Sequence, residues 1–93
     1  MSILAIARLF PKPGHTADIL AALEIASPAI HAEQGCELYA GHEAPDGTIV
    51  MIEKWTTQAD LDAHMTTPHI AKAFEVLGPA LVGEVAIHPL TAI

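Results

Sequence analysis

The spacing of apolar residues along the chain predicts strands alternating with helices. Residues 3–10 form an apolar run, interrupted by one arginine, that stops at a Pro-Lys-Pro-Gly sequence, as a strand followed by a turn does. Apolar residues then recur at helical intervals at Ile19, Leu23, Ala26 and Ile30. The sequence therefore predicts a helix from Thr16, whose hydroxyl can cap its start, to about Glu33, with Gly35 placed to end it.

Residues 36–43 and 48–55 are predicted to form two strands of a hairpin. The sequence Ala-Pro-Asp-Gly at 44–47 has the composition of a reversing turn. Side chains alternate between the two faces of a strand, so Met51, Glu53 and Trp55 share one face of the second strand. This pattern places the single tryptophan beside a carboxylate.

Two short helices and a last strand complete the pattern. Thr57 can cap the first helix, and Thr67 followed by Pro68 has the sequence of a second helix start. The second helix carries one apolar stripe, with a Gly-Pro pair placed to end the regular helix before its last member: Ile70, Phe74, Leu77 and Leu81. Residues 82–90 then read as the final strand.

The order strand, helix, strand, strand, two helices, strand predicts an α+β sandwich of the split βαβ type over residues 1–93, as one domain. Helices on one side would cover only one face of the sheet. The other face also carries apolar side chains, since residues 3–10 are apolar on both faces. Pairing two sheets face to face would cover it, which predicts a homodimer.

Composition supports that prediction and excludes some partners. The chain has 93 residues, of which 52% are hydrophobic. This hydrophobic fraction is higher than a small monomeric protein usually has. Its net charge is −7, and its four basic residues are scattered, so nucleic acids and anionic membranes are poor partners. No apolar run approaches the length of a membrane span, and there is no signal-peptide pattern. The single cysteine, Cys36, allows no internal disulfide, which predicts a cytoplasmic protein; its default role is that of a small buried hydrophobe.

The segment from Glu53 to His69 is the best candidate for chemistry. His64 falls on the apolar face of the first short helix, where an imidazole in a half-dry cleft can hold or release a proton near neutral pH. Glu53 on the core face of its strand needs a polar partner, and Trp55 could provide its indole N–H. Tyr39 on the neighbouring strand could reach the same cleft. The alternatives are that His64 is a core-edge residue bonded to a backbone carbonyl and that Trp55 is simply a large core residue.

His69 is predicted to occupy the second position of its helix, where the helix dipole favours a neutral imidazole that could orient a substrate oxygen. Capping or surface exposure is the alternative. His64 and His69 are five residues apart, which is not the spacing that places two metal ligands on one helical face. The other histidines are dispersed, so no metal site is predicted.

Taken together, several short motifs resemble the antibiotic biosynthesis monooxygenase domain, and most of all its small bacterial quinol monooxygenases. They run in order along almost the whole chain: Ala7-Arg8-Leu9, Pro13-Gly14, Glu33-Gln34-Gly35-Cys36 with Tyr39, Glu53-Lys54-Trp55, Leu61-Asp62-Ala63-His64 and Pro68-His69. The resemblance implies a ferredoxin-like subunit that dimerises into an α+β barrel, with a pocket between sheet and helices. It also implies oxidation of a quinol, anthrone or related aromatic by O₂ without metal, flavin or haem.

On this resemblance, the predicted catalytic residues are His64 as base or oxyanion partner, Trp55 as aromatic wall and Glu53 as the group that orients one of them. The predicted substrate-binding residues are His69, Tyr39, Met51 and Phe74. Met51 lies at the position where one family member has an amide side chain, so the resemblance does not identify the substrate. Two other functions remain possible on the same fold: an isomerase that uses His64 for proton transfer, and a non-catalytic dimer that binds an apolar ligand.

Overall fold

The computed structural model describes residues 2–91 and 93, and their arrangement confirms the predicted α+β, ferredoxin-like fold. The strands and helices follow one another in this order: β1 (Ile3–Leu9), α1 (Thr16–His31), β2 (Cys36–Glu43), β3 (Ile49–Trp55), α2 (Gln58–His64), α3 (Pro68–Leu77), a 3-10 turn (Gly78–Ala80) and β4 (Ala86–Leu90). The four strands form one antiparallel sheet in the order β2-β3-β1-β4.

The β2–β3 hairpin forms at the predicted turn. The amide of Ala44 donates to the carbonyl of Thr48 at 2.8 Å, and Asp46 accepts from the amide of Thr48 through its side chain at 2.9 Å. Gly47 has a φ of 88°, which a residue with a Cβ rarely adopts. The turn sets the register in which Tyr39 lies directly opposite Glu53 on the neighbouring strand.

Helix α1 differs from its prediction at both ends. The position before its first turn is His15, which makes no capping bond, and Thr16 is already helical, so the prediction that Thr16 caps the helix is wrong. The helix ends at His31 rather than at about Glu33. Gly35 instead shapes the turn into β2, with a φ of 79°, and a Cβ there would meet the Asp60 side chain at 2.2 Å. Residues 32–35 therefore lie beyond the end of the helix, and Glu33 is one of them.

The two short helices begin as predicted. The side chains of Thr57 and Thr67 accept hydrogen bonds from the amides of Asp60 and Ile70, respectively. The α3 helix ends at Leu77, before the Gly-Pro pair. The last strand is shorter than predicted, Ala86–Leu90 rather than 82–90, because the amide of Val82 donates to the carbonyl of Phe10 instead of pairing within the sheet.

The core fills the layer between the helices and one face of the sheet. Ile19 and Ile30 of α1 pack there with Met51 and Trp55 of β3, all almost completely buried. In the part of the chain that the structure describes, no helix lies over the opposite face of the sheet. This face carries side chains of mixed character, half-buried or exposed, among them Leu4, Ile6, Arg8, Leu38, Ala40, His42, Val50, Ile52, Lys54, His88 and Leu90. Of the helices described, none has the length and apolar character that a membrane span requires.

Candidate active site

The corner between α2 and α3 places two imidazoles close together. His64 is the last residue of α2, and its carbonyl accepts a hydrogen bond from the Thr67 hydroxyl at 3.1 Å. The same Thr67 caps α3, whose second residue is His69. One threonine therefore fixes the position of both histidines, and the predicted helical position of His69 is confirmed.

Glu33 lies between these two histidines. Its Oε1 is 2.8 Å from Nδ1 of His64, and its Oε2 forms a short hydrogen bond with Nε2 of His69. The exposed fractions of the three side chains are 4% for His64, 10% for Glu33 and 35% for His69. A carboxylate accepts hydrogen bonds, so this contact favours a proton on Nδ1 of His64, in the neutral or in the charged ring. In the neutral ring with its proton on Nδ1, Nε2 has a free lone pair.

Glu53 lies on the other side of the His64 ring. Its Oε1 accepts a hydrogen bond of 3.1 Å from the indole N–H of Trp55 and lies 3.8 Å from Nε2 of His64, beyond hydrogen-bonding distance. Burial, reinforced by the nearby Glu33, raises the pKa of the Glu53 carboxyl, while the Trp55 N–H and His64 oppose that rise. The indole and imidazole rings lie 4.6 Å apart between centroids at an angle of 34°.

Tyr39 completes the cluster. Its ring lies 5.9 Å from that of His64, in an edge-on arrangement, as its register opposite Glu53 on β3 dictates. Burial, with the charges of Glu53 and Glu33, raises the pKa of the Tyr39 phenol above its ordinary range. The phenol therefore stays protonated at neutral and mildly alkaline pH, and it can act as a hydrogen-bond donor.

A cavity lies between the sheet and helices α1 and α3, and we call it the inner cavity. Its lining includes Ala7, Tyr39, Met51, Glu53, His64 and Phe74. Ala7 on β1 pairs with Met51, and the small alanine side chain leaves space above the sheet. The wall is otherwise mainly apolar, so the few polar groups, Glu53, His64 and Tyr39, are concentrated at one end.

The inner cavity is small and only partly open to solvent in this conformation. Its volume is about 40 Å³, room for a few water molecules, whereas an apolar cavity needs about 150 Å³ to take a benzene ring. Met65 and Phe74 line it and are also 38% and 37% exposed, respectively, so they lie between the cavity and solvent. An aromatic ligand can enter only if such side chains move, and both have rotatable stems.

The structure gathers most of the predicted site residues but changes two placements. Tyr39, Met51, Glu53, His64 and Phe74 line the inner cavity. Trp55 is wholly buried behind His64 and its N–H is already donated to Glu53, so it does not form the wall of the cavity as predicted.

His69 lies outside the inner cavity, in a groove between α1 and α3, and not at the predicted substrate position. Glu53 binds Trp55, which is one of the two partners expected for it. The ring of His64 is held by a different carboxylate, that of Glu33. Sequence reasoning gave Glu33 no role, since it lies 31 positions from His64. The one available signal was a carboxylate immediately before the Gln-Gly-Cys sequence that starts β2.

Within residues 2–91 and 93, there is no group of three or more His, Cys, Asp or Glu side chains placed to hold a metal ion. Cys36 is half-buried at the start of β2, and burial followed by the charges of Glu33 and Glu53 raises the pKa of its thiol. A raised thiol pKa disfavours the thiolate that a nucleophile needs. This agrees with the expectation that Cys36 is a packing residue.

Comparison with known proteins identifies the family. The model of the antibiotic biosynthesis monooxygenase family matches residues 2–76. The chain belongs to this family. A protein of Mycobacterium tuberculosis named "Putative monooxygenase Rv0793" is 30% identical over 86 residues, covering 91% of this chain and 85% of that protein. The Escherichia coli protein named "Probable quinol monooxygenase YgiN" is 33% identical over 81 residues, 75% of this chain and 77% of the relative.

Solved structures give the same result for the fold. The structure of Rv0793 superposes on the antibiotic biosynthesis monooxygenase domain described here with a TM-score of 0.90 at 29% identity, over 100% of this chain and 96% of that one. PA3566 of Pseudomonas aeruginosa has a TM-score of 0.85 at 29% identity, over 99% and 94% of the two chains. The family and its named relatives support a monooxygenase that acts on a small molecule.

Proposed function

We propose that this protein oxidises a quinol, an anthrone or a related small aromatic with O₂, and that no cofactor takes part. The observation that carries the proposal is the position of His64. Its Nδ1 is held by Glu33, and the ring lines a small, mainly apolar cavity together with Glu53 and Tyr39. The name of the relative YgiN includes the word quinol, and this supports a quinol as the proposed substrate class.

The proposed reaction begins with removal of a proton from a substrate hydroxyl or an activated C–H by Nε2 of His64. Ground-state O₂ reacts poorly with closed-shell molecules, but the resulting anion is electron-rich and can itself reduce O₂. The protonated phenol of Tyr39 donates a hydrogen bond to the developing oxyanion. The small, mainly apolar cavity leaves little room for water, which strengthens these interactions and protects reduced oxygen intermediates.

Oxygen uptake tests this proposal. An oxygen electrode would record uptake by metal-free protein given a series of quinols and anthrones, with and without a chelator. The variant His64→Ala should lose about 100-fold or more of the turnover if His64 is the general base. The matched control is His15→Ala, because the His15 side chain is exposed, lies before the first turn of α1 and is hydrogen-bonded to Asp18, far from His64 in the chain. Turnover that the chelator abolishes would contradict the cofactor-free proposal.

The other functions that the sequence left open correspond to different results in the same experiment. An isomerase that uses His64 would convert a carbonyl compound without consuming oxygen. A non-catalytic binding protein would bind an aromatic, and His64→Ala would change that binding little. Either result would replace the monooxygenase proposal.

We also propose that two copies pair through the face of the sheet that no helix covers. This face carries Leu4, Ile6 and Ile52, and exposed Leu38 and Leu90 extend it to both edges. The variant Ile52→Arg should shift the protein from dimer to monomer in sedimentation, because two arginines would meet in the interface. Ile25→Arg on α1, where Ile25 is 82% exposed, is the matched control. A protein that is monomeric before any substitution would refute the pairing.

A cytoplasmic location is a further proposal, which rests on the single cysteine and its free thiol. Cell fractionation would test it directly.

A further inference from the structure

The helix layer separates two compartments. The inner cavity lies beneath it, and a groove lies above it between α1 and α3, which we call the outer groove. The outer groove is open to solvent and has a volume of about 220 Å³, and its lining includes Ala22, Ala26, Ala29, His69, Lys72 and Ala73. Ala26 and Ala73 line both compartments, so the wall between them is only one small side chain thick at these positions.

One hydrogen-bonded chain crosses this wall. His64 lines the inner cavity, and His69 lines the outer groove. Glu33 is bonded to both, with Oε1 on Nδ1 of His64 and Oε2 on Nε2 of His69. Exposure rises steadily along the chain, from 4% at His64 through 10% at Glu33 to 35% at His69. Each of the three groups can accept and release a proton.

We propose that Glu33 and His69 form a proton path between His64 in the inner cavity and the solvent of the outer groove. The role of the path in catalysis rests on the proposed function. The path itself rests only on the hydrogen bonds described above.

The proton balance of the path is as follows. His64 takes a proton from the substrate on Nε2 and releases the proton on Nδ1 to Oε1 of Glu33. Rotation of the neutral carboxyl group turns the protonated oxygen from His64 toward His69. The carboxyl group then gives this proton to Nε2 of His69 in the Nδ1–H tautomer of that ring, and the ring releases its Nδ1 proton to water. His64 is left with the substrate proton on Nε2, Glu33 is again a carboxylate, and His69 is neutral with its proton on Nε2. One proton leaves the cavity and no electron moves. The reverse sequence returns a proton to His64, which can protonate reduced oxygen.

Both carboxylate oxygens of Glu33 are hydrogen-bonded, which favours a proton path over a role in orienting His64 alone. One carboxylate oxygen is enough to fix the tautomer of His64. The second oxygen is bonded to a ring that lies outside the cavity and reaches solvent. A mere clamp between the end of α1 and the start of α3 would also use these bonds, but it would not conduct protons. The two roles can therefore be separated by following a proton.

Hydrogen exchange at His64 makes that separation without any substrate. Nitrogen-resolved NMR would measure the rate at which the Nδ1 proton of His64 exchanges with water. We expect His69→Ala to slow this exchange by about tenfold, because the conducting ring is lost. The control His15→Ala should leave the rate unchanged. An unchanged or faster exchange in His69→Ala would show that His69 shields the site or clamps it, and would overturn the path.

A second variant covers the case in which His69→Ala fails to fold. In Glu33→Gln the amide can accept from His64 and donate to His69, but it does not carry a proton between them. Exchange at His64 should again slow by about tenfold, while the near-ultraviolet circular dichroism of the folded protein is kept. Wild-type exchange rates in a folded Glu33→Gln protein would overturn the path.

Turnover gives an independent reading. At low buffer concentration His69→Ala should lower kcat by about tenfold with little change in KM, and added imidazole should restore kcat by carrying the proton in place of the side chain. A variant that imidazole does not restore would contradict the path. If the wild-type protein consumes no oxygen with any quinol or anthrone, the proposed function fails, and the exchange experiment still decides the path.

Discussion

Replacing Trp55 by Phe should destabilise the protein by an amount that depends on the charge of Glu53. The indole is wholly buried and its N–H donates to Oε1 of Glu53, which is itself 6% exposed. Phe fills most of the same space but has no N–H. The substitution therefore removes one hydrogen bond from a buried carboxyl group and leaves a small void.

The magnitude has two parts. A hydrogen bond to a charged acceptor contributes about 1.5–3 kcal/mol, and one to a neutral acceptor about 0.5–1.5 kcal/mol. The void adds about 1–2 kcal/mol for the missing part of the indole, and this part does not depend on pH. We expect Trp55→Phe to cost about 3–4 kcal/mol where Glu53 is ionised and about 1 kcal/mol less where it is protonated.

The direction of the pH effect follows from the raised pKa of Glu53. The folded state holds the proton more tightly than the unfolded chain does, because burial disfavours the carboxylate. That stabilisation is fully present below the ordinary carboxyl pKa of about 4.3 and is lost as the pH rises through the raised folded value. Since the Trp55 N–H opposes the rise, its removal raises the pKa of Glu53 further. The variant must then lose more stability than the wild type as the pH increases.

Urea unfolding of four proteins measures this effect: wild type, Trp55→Phe, Glu53→Gln and the double variant, each at pH about 4 and about 8. The Gln variant is the control, since its side chain has the same shape and no charge. The cycle should give a coupling of about 1 kcal/mol at the higher pH that disappears at the lower one. An equal cost of Trp55→Phe at both pH values, or in both backgrounds at high pH, would refute the reasoning.

Three further predictions address the entrance, the turn and the open face of the sheet. Phe74→Ala should lower KM for bulky quinols by about tenfold and leave KM for one-ring substrates almost unchanged, because Phe74 lies between the inner cavity and solvent. Steady-state kinetics with substrates of increasing size would measure this, and a KM that changes equally for all of them would contradict a gating role. Gly35→Ala should lower the free energy of unfolding by about 2–4 kcal/mol in thermal unfolding, because φ is 79° and the new Cβ would meet the Asp60 side chain at 2.2 Å. The control Gly47→Ala, with open space around it, should cost only about 1–2 kcal/mol for the strained backbone, and equal losses in the two variants would contradict the clash. Lys54→Met, made in the Ile52→Arg background in which the proposed pairing is lost, should leave the midpoint of urea unfolding unchanged, because the contact of Lys54 with Glu37 is 3.9 Å long and exposed within one subunit; a clear fall in the midpoint would show that the pair contributes to folding.

The strands and the hairpin could be predicted because local chemistry decides them. A Pro-Asp-Gly turn and strict alternation of buried side chains fix the β2–β3 register, so the face with Met51, Glu53 and Trp55 follows from the sequence. The start of α2 was also predictable, since Thr57 caps it through a bond within one turn. Each of these features depends on residues close together in the chain.

The errors fall where distant parts of the chain compete. The last strand begins late because Leu81 and Val82 pair with Pro11 and Phe10, an interaction between segments about 70 residues apart that no local pattern reports. The cap of α1 was assigned to Thr16 from residue type alone, and the helix starts at that residue without a side-chain cap. Tertiary pairing therefore determines where the last strand begins. In α1, the residue that could cap the helix, Thr16, lies one position after the cap position.

The candidate site combines both situations, and this explains which of its residues could be found. Glu53 and Trp55 are two residues apart on one strand, and His64 ends the next helix, so their convergence follows from strand and helix periods. Glu33 reaches the same point from the turn after α1, which the order β2-β3-β1-β4 and the packing of α1 on the sheet bring beside α2. The position of the group that holds the His64 ring therefore depends on topology, whereas the positions of the groups that line the cavity depend on sequence period. The sequence can thus place a candidate base at the cavity wall while the residue that holds its ring is missed.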